Sequence, residues 1–147
     1  MSKVVRTLLV AAVSLSLLTV ASPAQAWKFQ GCTPGFWGNH PDAWPVSTET
    51  TVGEIFSSVT GDLADLTLLE ALKLNGGSGF EGAERILVRA AVASYLNALA
   101  GNFPDWITSQ LIVEQTNAAI ESGSRSTLIG LAEKFDRWNN TGECGSG

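Results

Sequence analysis

The chain is poor in the residues from which most catalytic and metal centres are built: one histidine and two cysteines in 147 residues. With no second pair of ligands at coordination spacing, that scarcity argues against a zinc site, and no metal or cofactor is implied. No serine lies in a nucleophile-elbow context. Basic residues are also few, nine against fourteen acidic ones. Nucleic acid and anionic membrane surfaces are therefore poor partners, because the counterion release that drives such binding needs clustered lysine and arginine. Beyond the first 26 residues no apolar run is long enough to anchor the chain in a membrane. No stretch alternates as a strand would, and no fixed-period repeat is present.

What is present begins with an export signal over residues 1–26. Lys3 and Arg6 supply the positive start, Leu8 to Val20 the apolar stretch, and Ala24-Gln25-Ala26 the small-residue cleavage site. A retained anchor, or lipidation at Cys32, are the competing readings. Cleavage after Ala26 leaves 121 residues with seven basic and fourteen acidic side chains, a net charge of −7. That length suits a single domain over residues 27–147, secreted, periplasmic or held at the cell surface. Two cysteines near its ends read as one disulfide, Cys32 to Cys144, in an oxidising compartment.

The densest stretch runs from Gly31 to Pro45 and holds one cysteine, the only histidine, three of five prolines and two of five tryptophans. Pro34-Gly35 suits the centre of a type II turn. Asn39 or His40 can cap a single turn that Pro41 starts and Pro45 stops. The expected product is a rigid aromatic knot. The run Gly-Cys-Thr-Pro-Gly-Phe-Trp-x-Asn-His-x-x-Ala-Trp-Pro resembles the opening of an uncharacterised family of small secreted bacterial domains, whose signature is Cys-Thr-Pro-Gly-(Phe/Tyr)-Trp-Lys-Asn-His. Asn75-Gly76-Gly77, Arg89 to Ala93, Leu96-Asn97-Ala98 and Asn139-Asn140-Thr141-Gly142 with Cys144 extend the likeness over nearly all the mature chain. The resemblance implies no activity. Gly38 stands where that signature has lysine.

Downstream, the pattern predicts an all-α domain of four or five helices. Thr50 or Thr51 caps a short helix through Phe56, and Leu66, Leu69 and Leu72 stripe another that a left-handed cap at Asn75-Gly76-Gly77 would end. The glycines of residues 76–82 suggest a mobile loop. Residues 83–100 are apolar on nearly every side and should form the central helix. A helix capped by Asp105 or Thr108 and another capped by Ser124 complete the set. Arg85 and Arg89, one turn apart, are expected to pair with Glu81 or Glu84.

Three functional readings follow. The first is a non-enzymatic structural or interaction module, because a knot and a disulfide with no catalytic constellation fit that class; its partner would be an extracellular protein or polysaccharide. The second is a carbohydrate-binding module using exposed tryptophans. The third is a metal protein or hydrolase centred on His40 and Asp42, the only residues placed for acid-base work. Candidate contacts are Trp37, Asn39, His40, Asp42, Trp44 and Trp106. Trp37, Trp44 and Trp138 are expected in the core, and Trp106, beside Pro104 and Asp105, at the surface. Asn139-Asn140-Thr141 is a formal glycosylation sequon.

Overall fold

A computed structural model describes residues 29–145; the expected signal segment 1–26 and Trp27 lie outside the described residues. Within them the chain is all helical, in seven α-segments: α1 (Pro34–Asn39), α2 (Val52–Ile55), α3 (Asp62–Asp65), α4 (Leu68–Ala71), α5 (Gly79–Leu99), α6 (Ser109–Glu121) and α7 (Arg125–Asn139), with a 3₁₀ turn at Pro41–Ala43. That exceeds the four or five expected because the region before α5 breaks into single turns, each with its own start signal. Thr51 and Thr67 head reciprocal capping boxes with Glu54 and Glu70, and Gly61 starts α3 at a positive φ of 63°. The two boxes are tied together: Val52 N–H donates to Leu66 O and Leu68 N–H to Thr50 O, making an isolated antiparallel bridge. Each glutamate accepts from its threonine's backbone N–H, which holds both carboxyls below the usual range.

The axis of the fold is α5. Its buried face includes Leu87, Val88, Ala90 to Ala93 and Leu96, and it packs mainly against α7, then α6 and α1. The alanines leave room for this, since no side chain longer than a methyl separates the backbones at those positions. Phe135 and Leu128 of α7 and Ile112 of α6 fill the space between the long helices. Thr108 and Ser124 cap α6 and α7 through their hydroxyls, each accepting from the N–H three residues on. Leu99, at the frayed end of α5, is exposed.

Four local expectations are overturned. Pro34-Gly35 is the first turn of α1, not a type II turn: Thr33 Oγ1 accepts from Phe36 N–H at 3.2 Å, and Pro34 occupies the position where a missing N–H costs nothing. No left-handed cap forms at Gly76 or Gly77, neither of which has positive φ. Those glycines serve close approach instead. A Cβ on Gly82 would stand 2.1 Å from the Gly77 backbone, and one on Gly76 would meet Ile86 at 2.6 Å, so where a mobile loop was expected over 76–82, residues 79–82 form the first turn of α5 and Gly76 and Gly77 pack closely against it. Arg85 is held by Asn75, whose carbonyl accepts from Nε at 3.1 Å, and not by Glu81 or Glu84.

The Cys32–Cys144 disulfide closes the described chain across 112 residues. Beside it, Gln30 N–H donates to Asn102 O and Gly31 N–H to Thr141 O, so the entering strand of chain lies along the ends of α5 and α7.

Candidate functional site

The residues singled out around His40 separate into buried and exposed sets. Trp37 is only 2% exposed, and its indole N–H points inward to Asn97 Oδ1 at 3.3 Å. It cannot meet a partner from solvent, which removes it from the candidate contacts. Trp44 is half-buried and donates Nε1–H to the Trp37 carbonyl at 2.9 Å, folding the 3₁₀ turn back over α1. Asn39, His40 and Asp42 are exposed. The His40 ring stacks on Phe36 at 4.2 Å, and its Nδ1 lies 2.8 Å from Phe36 O. A carbonyl only accepts, so the proton of that bond resides on Nδ1. His40 is thus fastened to its own helix, with no carboxylate on the bonded nitrogen to orient it as a base. Among the described residues no group of three or more histidine, cysteine or carboxylate side chains converges as a metal site.

Beneath α1 lies a network that the helical periodicity does not expose. Asn97, fully buried in α5, accepts at Oδ1 from Cys32 N–H (2.9 Å), Trp37 Nε1–H and Asn102 Nδ2–H (3.0 Å). Its Nδ2 donates to Cys32 O (2.8 Å) and Asn139 Oδ1 (3.0 Å). Asn139, equally buried, also accepts from Ser94 and donates to Ala90 O. No buried side-chain polar atom among the described residues lacks a partner. Satisfied in this way, the network ties the Cys32 backbone and α1 to α5 and α7. Because the Asn139 amide is consumed inside it, the sequon is closed to modification in the folded chain.

The exposed aromatic surface lies at the α5–α6 connection. Phe103, Pro104 and Ile107 are buried, Ile107 N–H donates to Pro104 O at 2.8 Å, and the turn so formed lifts Trp106 out at 59% exposure. Trp106 stands edge-on to Trp138 of α7, their centroids 6.2 Å apart and planes at 84°. Trp138 is backed by Phe103 and Phe135, and the Lys134 ammonium sits 4.6 Å from its ring centre. Lys134 Nζ also donates to Gln115 Oε1 at 2.8 Å. Burial, helped by neighbouring Arg137, draws the Lys134 pKa below its ordinary value. Sequence reasoning found Trp106 but assigned Trp138 wholly to the core and passed over Lys134. The i to i+4 spacing of Lys134 and Trp138 on α7 was the available signal.

Clefts are also present, one of about 300 Å³ between α6 and α7 where Gln115, Leu131 and Lys134 line it, and two more away from these aromatics. One, of about 430 Å³, lies between α1, α5 and α7, where Arg89 and Asp136 face each other past Pro34 and Gly35. Burial raises the Asp136 carboxyl while Arg89 pulls it down. The other, of about 640 Å³, has Leu63, Leu66 and Phe80 as apolar lining and Asp62, Glu81 and Glu84 as carboxylates. Burial, then the charge of Glu81, pushes Glu84 up.

Comparison with protein-family models, curated proteins and solved structures finds no match for this chain.

Proposed function

We propose that the chain is an exported, non-enzymatic interaction module that meets its partner through Trp106. The observation that carries this reading is an indole left 59% exposed between two buried anchors, Phe103 and Ile107. Tryptophan can bury roughly 250 Å², so about 150 Å² remains open here, worth about 3–4 kcal/mol to a partner that covers it. A single side chain of that value qualifies as an anchor, and the fixed turn spares the partner the cost of ordering it. Export is supported by the residue 1–26 pattern and by the disulfide, a bond that persists in oxidising compartments. The alternative of acid-base or metal chemistry at His40 and Asp42 has no favouring geometry.

Co-sedimentation of the purified disulfide-bonded protein with cell envelopes of the producing organism tests the reading. The native protein pellets, and Trp106→Ala remains in the supernatant while keeping its melting temperature. Equal pelleting of the two proteins would overturn Trp106 as the contact.

A further inference from the structure

We infer that Trp106 and Lys134 together form a subsite for an acidic polysaccharide, the indole taking the face of a sugar ring and the ammonium a uronate carboxylate. This rests on Trp106 being the contact surface and specifies what covers it. Three observations converge.

The first is size. Among the described residues Leu99, at 38%, and Trp106 are the large hydrophobic side chains that are exposed. A protein partner needs about 800 Å² on each side around an apolar, aromatic core, which one indole does not provide. A pyranose presents one flat apolar face bordered by hydroxyls, and one ring covers one indole.

The second is charge. Lys134 Nζ donates to a neutral amide oxygen and sits against a ring face. Its charged neighbour is another cation, Arg137. The acid excess of the whole chain disfavours polyanions in general, so an acidic sugar is favoured only locally, where the Lys134 ammonium has a second cation as its neighbour.

The third is position. Lys134 and Trp106 both touch Trp138, at 4.6 and 6.2 Å, so ammonium and indole are separated by no more than those two lengths laid end to end. A disaccharide covers that span. Gln115, already holding Lys134, extends the polar edge onto α6, as amide side chains do where hydroxyls are recognised.

Isothermal titration of the disulfide-bonded protein with polygalacturonate and with neutral galactan is the test, using Trp106→Ala and Lys134→Gln, each checked for an unchanged near-ultraviolet spectrum. The native protein binds polygalacturonate more tightly than galactan, and the preference shrinks as salt is raised. Trp106→Ala weakens polygalacturonate binding by at least about thirty-fold. Lys134→Gln weakens it by about ten-fold and leaves galactan binding unchanged. If Lys134→Gln binds polygalacturonate as the native protein does while Trp106→Ala still fails on envelopes, the acidic-sugar assignment is overturned and the Trp106 contact stands. If neither polysaccharide binds, the sugar assignment falls with it. If Trp106→Ala also pellets normally, the interaction reading itself is lost.

Discussion

Replacing Asn97 with alanine should come close to unfolding the protein. The amide it removes serves five hydrogen bonds. Of the partners, Cys32 N–H, Cys32 C=O and Trp37 Nε1–H belong to residues buried away from water, and Asn97 is their hydrogen-bond partner. Each orphaned buried group costs about 1–3 kcal/mol. Three such groups total about 3–9 kcal/mol. Partial relaxation of the surrounding chain places the loss toward the lower end, about 3–5 kcal/mol, a large share of the 5–15 kcal/mol typical of a whole domain. Asn102→Ala, which removes from a half-buried side chain one bond to Asn97 Oδ1 and a weak contact to Cys32 Sγ, should cost no more than about 1 kcal/mol.

Urea unfolding with the disulfide intact measures both. At a slope of about 2 kcal/mol per molar, the Asn97 variant shifts the midpoint down by roughly 2 M, while Asn102→Ala shifts it by less than about 0.5 M. Asn97→Asp sharpens the test. It keeps the shape and the acceptor oxygen but turns Nδ2 into a second acceptor facing Cys32 O and Asn139 Oδ1, and it buries a charge. It should be at least as damaging as alanine. If Asn97→Ala lost less than about 1 kcal/mol at an unchanged slope, the claim that this amide organises the knot would be wrong.

Glycine substitutions should divide by surroundings. A Cβ on Gly31 would stand 2.0 Å from Trp138 O, a backbone atom, so Gly31→Ala should cost about 3 kcal/mol or more; Gly130, inside α7 with nothing within 4 Å, should gain about 1 kcal/mol as alanine, both read from thermal melts. Opening the Cys32–Cys144 loop with a double alanine variant should lower stability by about 2–4 kcal/mol, with about 4–5 kcal/mol the chain-entropy limit for a loop of this length, and a melt that ignores the substitution would deny the clasp its role. Glu84 has a folded pKa above 4.5, so its proton favours the folded state: that contribution is complete below the unfolded pKa and is lost as pH rises through the folded one. Glu84→Gln should therefore be more stable than the native protein at pH 7, by less than about 1 kcal/mol on so open a group, and the difference should vanish on acidification below pH 4. Glu54 and Glu70 act in the opposite sense, stabilising above pH 4.5 and losing that contribution as pH falls.

The helices of the body were legible because their ends are written in local chemistry. Thr51, Thr67, Thr108 and Ser124 each stand where the backbone needs an acceptor, and the small, apolar face of α5 identifies it as central. Where one sequence satisfies two local geometries, the sequence alone could not choose. Pro34-Gly35 suits a turn and a helix start equally, and the hydroxyl of Thr33 decides it by accepting from Phe36. The glycines of residues 76–82 carry the same ambiguity between freedom and closeness; the answer lies in Ile86 and Gly77, contacts that only the fold creates. Asn97 and Asn139 are the largest omission. Hydrophobic patterning counts an asparagine as surface, so a buried amide pair joining two helices to the Cys32 backbone has no periodic signal.

That omission bears on what the signature-like run means. Cys32 supplies the disulfide and two backbone bonds to Asn97, Thr33 caps α1, Pro34 starts it, and Trp37 donates to Asn97 from within the core. Leu96-Asn97-Ala98 and Asn139-Asn140-Thr141-Gly142, the distant stretches of the same likeness, contribute the other half of this network, and Gly142 passes so close to Phe29 that no side chain fits. The buried members of the run satisfy one another and tie α1 to α5, while Asn39 and His40 within the same run remain exposed. Gly38 agrees with that division: a Cβ there would meet Leu72 at 4.0 Å, ordinary contact, so a lysine fits and the glycine alters the surface without touching the network. The proposed contacts lie outside the run: Trp106 stands in the α5–α6 connection and Lys134 on α7, and neither side chain bonds the amide cluster.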